Sequence, residues 1–222
     1  MQSEQLNLRK PARIIDLRFL GIMCLISFVE CKMEPFVAGG FLAPISLFPH
    51  AALINFHCFG AEDTDRPWIC GASIINQEIT LTAAHCLSGC ASNSTISVSV
   101  GNSYKNKGME SLVHSYFMHE DYDEELSNND IALVRLNTMI QFSEKVKRVV
   151  LMKNPPYFEK AQVAGWGLTN VSVLDLWSTP TDQLKYVDQV VMSGEDCKKY
   201  IPDPPTGTIC GSSEKDADYS TE

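Results

Sequence analysis

The chain has 222 residues, with 45% hydrophobic and 20% charged positions, enough to bury the core of one large all-β domain or two small ones and too apolar for a disordered chain. Its formal charge of −9 lies in the body of the chain, because residues 37–222 carry 13 basic and 23 acidic side chains. A phosphate backbone is repelled on average, which excludes nucleic acid as a natural partner.

The first elements in chain order read as targeting sequence. Arg9, Lys10, Arg13 and Arg18 precede an apolar run at 19–29, FLGIMCLISFV. These eleven residues fall short of the roughly 20 that span a bilayer, so no stable membrane span is expected. They suit the core of a signal peptide at 1–31, with Val29 and Cys31 small enough for a cleavage site after Cys31. Residues 32–36 then form a short pro-segment, and the domain proper runs over 37–222.

Cys24 and Cys31 leave with the signal peptide. Cys58, Cys70, Cys86, Cys90, Cys197 and Cys210 remain, an even set that in an oxidising compartment predicts three disulfides. From the count alone every pairing stays open. CxxC pairs are absent and the spacings do not suit zinc, so no metal site is expected.

Short apolar or alternating runs follow at 51–56, 79–83, Thr95–Val100, 131–136, 162–164 and 186–192. TISVSV at 95–100 alternates strictly. Gly101-Asn102, Lys107-Gly108, Pro155-Pro156 and the 202–207 segment punctuate the runs. Many short strands between turn signals predict an all-β barrel or sandwich. One short helix is expected over 193–200, with Ser193 as N-cap.

Three blocks carry chemistry. Leu81-Thr82-Ala83-Ala84-His85-Cys86 ends an apolar strand on a histidine with small neighbours, which lets the imidazole face a cleft. Asn129-Asp130-Ile131-Ala132-Leu133-Val134-Arg135-Leu136 sets an aspartate at the mouth of a strand. Val163-Ala164-Gly165-Trp166-Gly167 is a glycine-flanked tryptophan after a strand, where the tryptophan is structural. In this order, with 45 residues between His85 and Asp130, the blocks resemble the trypsin-like (S1) serine proteases.

The resemblance implies two six-stranded antiparallel Greek-key barrels of the chymotrypsin type with a cleft between them. It implies hydrolysis of protein or peptide substrates by a secreted monomer made as a zymogen, without cofactor and open to protease inhibitors. It assigns His85 and Asp130 to the catalytic triad. An imidazole, whose free pKa is about 6.5, takes the serine proton and returns it, while the carboxylate fixes its tautomer. It also implies disulfides Cys70–Cys86 around the histidine and Cys197–Cys210 beside the substrate pocket. In the implied fold the loops of the two remaining cysteines are neighbours, which pairs Cys58 with Cys90. His50, His57, His114 and His119 stand in loop-like or polar contexts and are expected to be non-catalytic. Asn93-Ser94-Thr95 and Asn170-Val171-Ser172 are glycosylation sequons.

Two departures from the family pattern matter. The new N-terminus, IVGG in the family, corresponds to Val37-Ala38-Gly39-Gly40, but Pro35-Phe36 offers a tryptic activator no basic residue. After the second pocket cysteine the family carries CxGDSGGP, whereas Cys210 is followed by GSSEKDADYSTE. In that register Glu222 takes the nucleophile's place, and Asp216, six positions earlier, matches the acid that selects Lys or Arg. Ser220 has no flanking glycines to build an oxyanion hole. The expectation is therefore a truncated domain with an incomplete second barrel, a less stable C-terminal half and no efficient hydrolysis by this polypeptide. The rival expectation is a non-catalytic protease homologue that binds or regulates.

Overall fold

The computed structural model describes residues 40–59, 65–88, 90, 94–167 and 181–212, with the side chains of 58, 59 and 65–67 left aside. All of them belong to the unit Glu34–Glu222. The signal-peptide and pro-segment expectations, Val37, both sequon asparagines, Asp216 and Ser220 lie outside the described residues. No helix among the described residues is long and apolar enough to cross a membrane.

The elements are β1 (Phe41–Leu42), β2 (Ala51–Phe59), β3 (Asp65–Ile74), β4 (Ile79–Thr82), β5 (Thr95–Val100), β6 (Met109–Met118), β7 (Ala132–Leu136), β8 (Lys160–Gly165), β9 (Lys185–Val191), α1 (Gly194–Tyr200) and β10 (Gly211–Ser212). Strands β2-β3-β4-β7-β6-β5 close an antiparallel six-stranded barrel. The chain passes from β4 to β5 without pairing them, and β7 returns to fill the gap beside β4, the Greek-key order. In the second half β9 is central, with β8 along one edge and β1 and β10 sharing the other. Among the described residues this second sheet has four strands. Among the described residues the architecture is all-β with one short helix, in agreement with the chymotrypsin-type expectation.

Strand β2 explains why two cores meet. Its alternate residues Ala52, Ile54 and Phe56 face the barrel interior with Ile74, Val98, Val100 and Val134. Ala51 and Leu53 face the other way, into a cluster with Ala43, Ile45, Phe48, Trp166 and Leu184. Both faces are dry, so the strand reads as the unbroken apolar run AALI instead of an alternating one. Trp166 is buried in this seam and its indole N–H donates to the Ser103 carbonyl at 2.7 Å. The GWG block is thus structural. Helix α1 has the expected cap, the Ser193 side chain accepting from the Asp196 N–H, with Glu195 and Asp196 in the first turn and Lys198 and Lys199 in the last, matching the helix dipole.

Candidate active site

The pairing of β4 with β7 creates the site. Thr82 lies opposite Ala132 and Leu81 opposite Leu133, antiparallel. The residues just after β4 therefore lie beside those just before β7, which brings His85 to Asp130 across 45 positions of sequence. His85 sits on a turn closed by Leu87 N–H and Ser88 N–H donating to the Ala84 carbonyl. Ala84 and Leu87 anchor that turn in the barrel core and leave the imidazole exposed. The Cys70–Cys86 disulfide ties the next residue to β3, and the indole N–H of Trp68 donates to the Cys86 carbonyl at 3.3 Å.

Asp130 uses both carboxylate oxygens on His85. Oδ2 lies 2.7 Å from ring Nδ1, and Oδ1 accepts the His85 backbone N–H at 2.8 Å. Burial pushes this carboxyl up, but the ring and the backbone N–H groups of His85 and Ala84 outweigh it, and the net shift is below the ordinary 3.8. Burial likewise pushes the Tyr122 phenol up, with the charges of Asp130 and Glu124 adding to it. A depressed carboxyl stabilises the fold above its unfolded pKa, and that contribution is lost as pH falls through the lower folded value. The urea-midpoint gap between wild type and Asp130→Asn is therefore expected to hold at neutral pH and to narrow below about pH 4. A gap unchanged down to pH 2 would contradict the linkage.

With Nδ1 held by the carboxylate, Nε2 is the nitrogen left to exchange a proton with a bound group. Among the described residues no serine hydroxyl hydrogen-bonds it; its neighbour is Cys86 Sγ at 3.5 Å. The ligand atoms of Cys70, His85 and Cys86 lie within 4.8 Å of one another. Both sulfurs are bonded to each other, so the grouping offers no thiolate to a metal.

The other predicted positions divide as follows. Cys197 is joined to Cys210, linking α1 to the residue before β10. Cys90 is disulfide-bonded, while the side chain of Cys58 lies outside the described residues. His50 packs edge-on against Phe48, and burial lowers its pKa. His119 accepts the Asp121 N–H through Nδ1 at 3.1 Å, and His114 is exposed. Sequence reasoning passed over Asn128 and Asn129, although asparagine enters left-handed backbone more readily than most residues and Asn129 adopts it with φ of 54°.

Residues 39–220 match the family model for trypsin. The chain belongs to the trypsin family of serine proteases. It is 34% identical over 168 residues to trypsin delta of Drosophila erecta, an alignment covering 75% of this chain and 61% of that protein. It is 31% identical over 192 residues to trypsin alpha of Drosophila melanogaster, covering 80% and 70%. The chain thus spans less than two thirds of the length of trypsin delta. A crystal structure of the scabies mite inactivated protease paralogue S-D1 superposes with a TM-score of 0.67 at 22% identity, covering 82% of this chain and 76% of that one, which is a likeness of fold.

Proposed function

We propose that His85 and Asp130 are the general base and its orienting carboxylate for a serine endopeptidase that cleaves protein or peptide substrates outside the cell. The observation that carries this reading is the two-point grip of Asp130. One oxygen fixes the ring at 2.7 Å and the other fixes the backbone beneath it, which leaves Nε2 as the ring nitrogen not engaged by the carboxylate. A hydroxyl nucleophile needs such a base, and the base needs its tautomer set from behind. Protein inhibitors of the family would approach the same exposed imidazole. Asp216 is the proposed selector of basic substrate side chains, and Cys58–Cys90 the proposed third disulfide.

Residues 1–222 supply this pair without its nucleophile. No serine among them stands in a G-D-S-G segment, the family arrangement whose backbone N–H groups converge on an oxyanion. Labelling with a serine-directed fluorophosphonate tests the reading. The 222-residue polypeptide is expected to remain unlabelled, and a polypeptide carrying G-D-S-G-G in the family register, its serine at the position of Glu222 and followed by the remaining strands of a family second barrel, is expected to label in a His85-dependent manner. Failure of that folded polypeptide to label would favour the rival reading, a homologue that binds without cutting.

A further inference from the structure

Both oxygens of Asp130 are committed to His85, so the aim of that carboxylate is set by the backbone that leads into it. This backbone is unusual. Ser127 and Asn129 both have φ of 54°, the left-handed region that residues with a Cβ adopt at a cost. Such a conformation persists only where surrounding contacts fix it. Within the loop, the Asp123 N–H donates to the Asn128 carbonyl at 3.0 Å and the Ile131 N–H to the Asn129 carbonyl at 2.8 Å. The Asn129 side chain donates to the Asp121 carbonyl at 2.9 Å.

Two further bonds come from the other half of the molecule. The Thr206 N–H donates to Asn128 Oδ1 at 2.6 Å across 78 positions of sequence, and the Asn129 N–H donates to the Thr206 carbonyl at 3.1 Å. Thr206 belongs to the segment between α1 and β10, whose ends are cross-linked by Cys197–Cys210. The loop that carries Asp130 is therefore stapled, at the residues next to Asp130, to the disulfide-closed loop of the second half.

We propose that Asn128 is a positioning residue, which transmits the placement of the 201–210 segment to the Asp130 carboxylate and so to the His85 ring. The inference rests on the proposed pairing of His85 with Asp130. It assigns the side chain of Asn128 a part in setting the base, with the second half of the molecule as its anchor.

The test uses the chain of residues 1–222 labelled with ¹⁵N-histidine and reads the His85 Nδ1 proton. Wild type is expected to show a strongly deshielded, slowly exchanging Nδ1 proton. Asn128→Ala is expected to speed its exchange roughly five- to tenfold, the factor set by one ordinary hydrogen bond, and to move it upfield. Asn128→Asp, which keeps an acceptor oxygen, is expected to restore both. Thr206→Pro removes the same donor from the opposite side and is expected to act like Asn128→Ala, which keeps the test open if that variant does not fold. Backbone amide signals of β2 and β5 report an intact barrel. Unchanged exchange in Asn128→Ala or in Thr206→Pro, or an Asn128→Asp variant that behaves like the alanine, overturns the positioning role. Absence of the deshielded proton from wild type overturns instead the pairing on which it rests.

Discussion

Asp130→Asn is expected to lower turnover about 10⁴-fold in a polypeptide that carries the nucleophile segment in the family register, its serine at the position of Glu222, the factor already established for this exchange in this family. The geometry here shows why the loss should be so large for a change of one atom. Oδ1 of Asp130 accepts the backbone N–H of His85 at 2.8 Å. An asparagine must keep its carbonyl oxygen on that N–H, because its amide nitrogen cannot accept. The amide N–H then faces ring Nδ1 in place of Oδ2, and Nδ1 becomes an acceptor. The neutral ring is driven to carry its proton on Nε2, where it can no longer take one from a serine. The predicted signature is a fall in kcat with KM nearly unchanged and the fold intact. A loss of less than tenfold would show that the carboxylate does not set the tautomer.

The second large effect is on stability. Phe56→Ala is expected to destabilise the folded chain by about 3–5 kcal/mol, measured by urea unfolding. Phe56 is fully buried in the barrel and pairs with Trp68 on one side and Ile96 on the other. Its ring stacks on Trp68 with centroids 5.1 Å apart and planes 16° from parallel. Removing it opens a cavity and withdraws the support of an indole whose N–H holds the Cys86 carbonyl, one residue from His85. Since whole domains are stable by only about 5–15 kcal/mol, this one change consumes a large part of the margin. A cost below about 1 kcal/mol would mean that the β2–β3 face does not support the histidine turn.

How much of this was legible in the sequence depends on whether the signal was local. TISVSV alternates strictly and forms β5 over the predicted Thr95–Val100; Ser193 caps the predicted helix. Strands β3 and β6, at ten residues each, gave no comparable run. DRPWICGASI carries Pro67 and Gly71, both unfavourable strand signals taken alone. In MESLVHSYFM the register shifts between Val113 and Ser115, so a bulge at His114 breaks the period on which a strand is recognised. Strands β1 and β10, two residues each, are too short to carry any period.

The site divides in the same way. His85 and Asp130 lie in contiguous motifs, LTAAHC and NDIAL, that mark them against the rest of the chain. The second oxygen of Asp130 and the bond from Thr206 to Asn128 are contacts across 45 and 78 positions of sequence. Nothing in the local sequence of Pro204-Pro205-Thr206 announces that it faces the aspartate loop.

On the proposed pairing the carboxylate at 130 sets which nitrogen of the imidazole at 85 carries the proton, and the nitrogen chemical shifts of that ring in the 222-residue chain read this out. In the neutral form of the ring the proton is expected on Nδ1, with conversion to the Nε2 tautomer by Asp130→Asn. A neutral wild-type ring with its proton already on Nε2, or one indifferent to the substitution, would contradict it.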